Sequence, residues 1–214
     1  MGRDGLERAG GQKGASVTTV VIWIAAAVGA VLLGLLVLTI AGGRVRIWPT
    51  PGPGTWQSYV FWPLFRSLNV LCFVLAGLDW PGGALGLPVW LRGLAFAVVV
   101  ISVAVFVYAF QVLGRDNSYG AQDGLVTGGI YQWSRNPQNA MLVVVYGALA
   151  IAADGAATYA AAAAMMAVYV LMVLAEEPWL AGVYGAAYRE YCRSVPRFYN
   201  WRRLFTVLTG RGQG

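Results

Sequence analysis

A chain of 214 residues that is 58% hydrophobic and only 11% charged, with a mean hydropathy of +0.62, is too apolar for a water-soluble domain. It has no histidine and only two well-separated cysteines, Cys72 and Cys192. That argues against imidazole catalysis, haem or zinc ligation and a disulfide framework, so no metal is expected. The formal charge of +6 sits mostly on arginines that flank apolar segments, the pattern of membrane topology and not of a nucleic-acid interface.

Residues 1–16 are Gly-rich, mix Arg3, Arg8 and Lys13 with Asp4 and Glu7, and show no apolar period, which predicts a disordered N-terminal tail. Residues 17–41 form an uninterrupted apolar run, longer than the roughly 7 to 15 residues of a signal-peptide core, and predict a first transmembrane helix. A connector over 42–57 carries Arg44, Arg46, Pro49, Pro51 and Pro53 and should not be helical. A second span over 58–78 contains Pro63, Arg66 and Asn69; Arg66 either faces protein or water, or snorkels to the nearer headgroups. A turn-rich loop flanked by Trp80 and Trp90 leads to a third span over 92–113, so residues 17–113 supply three membrane helices. After a polar stretch over 114–138, residues 139–153 and 156–175 read as the fourth and fifth spans. Asp154-Gly155 joins them in a tight turn that makes an antiparallel hairpin. Residues 201–214 form a basic interfacial tail. The predicted fold is all-α: an integral membrane bundle of about five transmembrane helices with a C-terminal amphipathic helix at the interface.

The basic residues fix an orientation. With the C-terminus inside, Arg44, Arg46, Arg115, Arg135, Arg189, Arg193, Arg197, Arg202, Arg203 and Arg211 share one side, against Arg3, Arg8, Lys13 and Arg92 on the other. That favours an outside N-terminus and a cytoplasmic C-terminus. The way up from Pro137 and the way down to Glu176 are nearly equal in length at about 1.5 Å per residue. Arg135 and Asn136 are therefore expected at the same depth as Glu176 and Glu177.

Those four residues are the first candidates for chemistry. Glu176 and Glu177 are expected to close a helix, where the macrodipole disfavours acids, with Pro178 pushing Glu177 out of helical geometry. Either one of them binds a cation or pairs with Arg135, or both sit on a solvated helix end. Tyr184, Tyr188, Tyr191, Val195 and Phe198 recur at 4, 3, 4 and 3, one face of an amphipathic helix docked on lipid or on the bundle, or acting as a lid. Arg197 could hold an anion or meet headgroups. No Rossmann glycine pattern, Walker loop or serine elbow is present.

Taken together, Leu125-Val126-Thr127-Gly128-Gly129-Ile130-Tyr131, Arg135-Asn136-Pro137, the apolar hairpin, Glu176-Glu177 and Tyr188-Arg189-Glu190-Tyr191-Cys192-Arg193-Ser194-Val195-Pro196-Arg197 resemble the isoprenylcysteine carboxyl methyltransferase and phospholipid methyltransferase superfamily of integral membrane enzymes. The resemblance covers residues 114–198 and implies a methyltransferase core over 114–200 that binds S-adenosylmethionine at the cytoplasmic face, with the acceptor entering from the lipid. Carried over, Tyr131, Arg135, Asn136 and Pro137 would line the cofactor pocket. Glu176 or Glu177 would contact the charged amino-acid end, and Tyr188, Tyr191 and Arg197 would close the site. Asn136 stands where many members have histidine, Asn139 where many have an aromatic residue, and Ser194 where carboxyl-methylating members often carry a base.

The expected function is methyl transfer to a carboxylate, thiol or amine of a lipophilic or membrane-permeant acceptor, with Glu176, Glu177 and Arg135 as the catalytic candidates and membrane lipids as surroundings. The alternatives are an NADPH-dependent membrane sterol-type reductase and a non-enzymatic membrane subunit. One lysine against fourteen arginines, with heavy Ala and Gly use, points to a GC-rich bacterial genome and an inner-membrane location.

Overall fold

The computed structural model describes residues 3–42, 45–114 and 124–199, and of residues 3–16 the backbone alone. Its elements are α1 (Arg3–Ile40), α2 (Trp56–Asp79), α3 (Val89–Leu113), a single 3-10 turn (Gly129–Gln132), α4 (Pro137–Ala153) and α5 (Ala156–Ser194). No strand occurs among the described residues. The protein is an all-helical integral membrane bundle. Four helices are long and apolar enough to cross a bilayer: α1 from Val17, α2, α3 and α5.

Several expectations shift. Residues 3–16, read from composition as disordered, continue α1 toward the N-terminus. The fourth expected span is α4, whose 17 residues fall short of the roughly 20 that cross a hydrocarbon core. The two acids do not close a helix: α5 runs on through Pro178 to Ser194, and only at Gly185, with φ 55° and ψ −122°, does it change direction. Proline 178 merely removes the N–H that would have bonded the Leu174 carbonyl, a loss that packing on either side can absorb. A positive φ of this kind is what glycine permits without steric cost. The basic tail over 201–214 lies outside the described residues, as does the segment 115–123.

The core lies where α5 packs against α1, α2 and α4. Leu32 and Leu36 of α1, Phe61, Leu68 and Leu75 of α2, and Met165, Val168 and Met172 of α5 fill it. Small residues let the helices approach: Ala161 and Ala162 are buried, and Gly29 lies against Leu68 and Ala164. Helix α3 packs on α4 and touches the 3-10 turn, while α2 and α3, although consecutive, do not form a packed pair.

One end of the bundle is a polar collar. Asp154, fully buried in a left-handed conformation, accepts the Leu85 and Leu87 amides at 3.0 Å each and the Tyr159 hydroxyl at 3.2 Å. Arg92 lies over Trp80 and donates to the carbonyls of Ala152, Ala153 and Gly82, capping the end of α4. Asp79 accepts the Thr158 amide and hydroxyl at 2.8 Å each, so the N-terminus of α5 is capped from α2. The two-residue Asp154-Gly155 hairpin is the turn that the sequence implied, and a Cβ on Gly155 would overlap the Asp79 side chain.

Two substitutions test the collar. Asp79→Ala should cost about 1 kcal/mol through the lost cap. Gly155→Ala should cost more, because the added methyl displaces that same carboxylate; unfolding in detergent micelles reads both, and a neutral Gly155→Ala would contradict the packing.

Candidate active site

At the end opposite the collar, the chain folds a second polar layer from four separate stretches. Pro137 begins α4 at a position where its missing N–H costs nothing. The preceding residues, Ser134-Arg135-Asn136, lie against the segment that follows α5. The Arg135 amide donates to the Pro196 carbonyl at 3.0 Å, and its guanidinium Nη1 donates to the carbonyls of Cys192 (3.1 Å) and Val195 (3.3 Å). These are groups that the end of α5 leaves without helical partners. Asn136 Nδ2 donates to the Arg197 carbonyl at 3.0 Å.

Glu177 joins the two stretches. Its Oε1 accepts from Arg135 Nη2 at 2.6 Å, and its Oε2 accepts from Arg197 Nη2 at 2.6 Å and Nε at 3.0 Å. The hydrogen bond to Glu177 holds the Arg197 guanidinium above its ordinary pKa. The depth match expected between Arg135 and the acid pair is therefore met as a direct ion pair. Tyr191 completes the layer: its hydroxyl donates to the Tyr131 carbonyl at 2.6 Å and fixes the 3-10 turn to α5. Tyr188, Tyr191 and Val195 are buried together against Leu125, Leu180 and Tyr184, so the aromatic stripe docks on the bundle and not on lipid.

Beneath this layer is a cavity of about 400 Å³. Of the residues singled out in the sequence, Tyr131, Arg135, Asn136, Glu176, Tyr188 and Tyr191 line it; Pro137, Glu177 and Arg197 do not. The two acids thus separate. Glu177 is held by two arginines in the covering layer, whereas Glu176 faces the cavity and, among the described residues, accepts a single hydrogen bond, from Trp48 Nε1 at 3.2 Å.

Trp48 escaped the sequence reading because a Pro- and Gly-rich connector reads as a solvent loop. Here that connector is non-helical as expected but folds inward: Ile47, Trp48 and Thr50 are buried, Ile47 N–H donates to Thr39 Oγ1, and Trp48 stacks on Phe61 at 4.8 Å. The remaining wall is a set of helical stripes: Trp62, Phe65 and Asn69 of α2, Phe106, Phe110 and Leu113 of α3, Tyr169 and Met172 of α5. Gln138 also lines it and donates to the Tyr131 hydroxyl at 3.1 Å. Their 3, 4 and 7 spacings were visible, but nothing in one sequence says which face of an all-apolar helix meets a cavity and which meets lipid.

The clamp is open to test. Arg135 and Glu177 are 10% and 14% exposed, and removing one partner of such a buried pair should cost about 3 kcal/mol in Arg135→Ala. Arg197, 45% exposed, should cost no more than about 1 kcal/mol as Arg197→Ala. Unfolding in detergent and tryptic cleavage at Arg189 and Arg193 should rank the two variants in that order, and equal effects would remove Arg135 as the main tie.

Residues 90–187 match the phospholipid methyltransferase family. The matched stretch takes in the Arg135-Asn136-Pro137 motif and both acids, begins after Trp48 and ends just before Tyr188. No curated protein and no solved structure matches the chain. The match over residues 90–187 is consistent with the isoprenylcysteine carboxyl methyltransferase and phospholipid methyltransferase superfamily, and it supports a membrane methyltransferase in general.

Proposed function

We propose that this protein is an S-adenosylmethionine-dependent methyltransferase that acts on a carboxylate, thiol or amine of a lipophilic acceptor. The observation that carries the reading is the two-sided cavity. At one end it presents a carboxylate, a guanidinium and several tyrosines, and from there it extends between helices lined by aromatic and aliphatic side chains.

The residues fit the cofactor. A volume of about 400 Å³ lies in the range of small-molecule sites. Glu176 and the rings of Trp48, Trp179 and Tyr131 suit a cationic ligand, through charge and through the negative faces of the rings. Arg135 Nε is buried without an acceptor among the described residues, a donor that a ligand carboxylate could satisfy. Bound there, S-adenosylmethionine would supply an electrophilic methyl group on a sulfonium.

The protein's part is to align and to exclude water. Glu177 and Arg197 hold the covering segment over the cavity, and Tyr131, Tyr188 and Tyr191 form its wall. Glu176 either receives the ammonium of the amino-acid end or, for a protonated amine acceptor, takes the proton that must leave before attack. A carboxylate or thiolate acceptor needs no such base. With the C-terminus cytoplasmic, the site faces the compartment where the cofactor is made. The unpacked seam between α2 and α3, with cavity-lining residues on both, suits an acceptor arriving from the bilayer.

Purified protein should bind labelled S-adenosylmethionine and not NADPH. Glu176→Gln should lower cofactor affinity or turnover by about tenfold or more. Binding of NADPH alone would favour reduction, binding of neither would favour a structural subunit, and unchanged binding and turnover in both Glu176→Gln and Glu177→Gln would strip the acids of the role.

A further inference from the structure

The inner end of the cavity carries a second polar site that methyl transfer alone does not call for. From Glu176, the α5 face that lines the cavity continues through Met172 to Tyr169, seven residues or roughly 10 Å along the helix. There Tyr169 meets Asn69 of α2. Asn69 Oδ1 accepts the hydroxyls of both Tyr169 (3.2 Å) and Tyr146 of α4, and Asn69 Nδ2 donates to the Phe65 carbonyl at 2.7 Å. The bond to Phe65 sets which end of the amide is nitrogen.

The inventory of this trio is unequal. Both tyrosine protons go to one oxygen, which fills its two lone pairs. The Tyr146 hydroxyl also lies in hydrogen-bond contact with that of Tyr169, so among the described residues what remains is the second Asn69 N–H and one lone pair of the Tyr169 oxygen, a donor and an acceptor on residues that line the cavity. A staple between helices would be complete with Asn69 turned into the protein, as Tyr146 is; instead Asn69 and Tyr169 form cavity wall, amid Phe65, Phe106, Leu142 and Met172. Polar groups beside hydrocarbon are costly unless paired. The only charged groups on the described wall, Arg135 and Glu176, belong to the other end. A ligand group here has to be neutral.

We propose that Asn69 and Tyr169 form the inner end of the acceptor site and bind an uncharged oxygen function, a hydroxyl or carbonyl, on a lipophilic molecule whose body lies among the aromatic side chains. This rests on the methyltransferase reading only in calling that molecule the acceptor. The site discriminates against purely hydrocarbon tails, which would leave the amide hydrogen unpaired.

The test uses the full-length protein in nanodiscs and two matched probes, 4-octylphenol and octylbenzene, titrated against the intrinsic tryptophan fluorescence to which Trp48, Trp62 and Trp179 contribute. S-adenosylhomocysteine binding is measured on the same samples by calorimetry. The phenol should bind about tenfold more tightly than the hydrocarbon. Tyr169→Phe, which leaves the Tyr146 bond to Asn69 in place, should bring the ratio to about threefold or less, and Asn69→Ala to about one. S-adenosylhomocysteine affinity should stay within about twofold throughout. Equal binding of the two probes by the unmodified protein, or a preference that survives Asn69→Ala, would overturn the proposal whatever S-adenosylhomocysteine does. A phenol preference that disappears in the variants, in a protein that binds no S-adenosylhomocysteine, would support the oxygen subsite and overturn the methyl-transfer reading instead.

Discussion

The covering layer of the cavity depends on one carboxylate. Glu177 lies between Arg135, from the loop before α4, and Arg197, from the segment after α5, at 2.6 Å from each. Two arginines alone at that spacing would repel, and the segment after Gly185 has little apolar surface beyond Tyr188, Tyr191 and Val195 to hold it down. With Glu177 in place, Arg135 can also bind the carbonyls that α5 leaves open, so helix end, loop and tail become one unit. The adjacent acid is thereby freed: because Glu177 takes up both arginines, Glu176 faces the cavity with the Trp48 N–H as its one hydrogen-bond partner among the described residues.

That division of labour between neighbouring residues follows from helical geometry. Successive positions on a helix point about 100° apart, so one of the pair meets the covering layer while the other meets the interior. A helix that ended at the pair could not enforce the split. Its continuation through Pro178 therefore has functional weight, as does the break at Gly185, which brings Tyr188 and Tyr191 back over the cavity.

Much of this was legible in the sequence, for identifiable reasons. Apolar runs of membrane length announced the bundle, and the equal arms of the α4–α5 hairpin placed Arg135 level with the acids. The alternation of Tyr184, Tyr188 and Tyr191 gave the docking face. Other features were hidden because they depend on contacts distant in the chain. Trp48 looked like part of a solvent connector, and no local pattern links it to Glu176, 128 residues away. Pro178 looked like a terminus because local preference favours one, and tertiary packing overrode it. Which glutamate faces inward could not be read from a doublet, and Pro137, expected in the wall, does not line the cavity.

The collar has a mechanical consequence. The connection between α2 and α3 is tied to the α4–α5 turn through Asp154 and Arg92, while farther along the two helices run without packing on one another. They are tied together at the collar, and beyond it α3 rests on α4 and the 3-10 turn instead of on α2. Helix α3 has 25 residues, roughly 37 Å, so the seam it leaves beside α2 can extend across most of the thickness of a hydrocarbon core. Leu113 and Phe110 sit near its C-terminal end, on the cavity wall. The width of that seam is thus set by how α3 seats on α4, and not by contact between the two helices that border it.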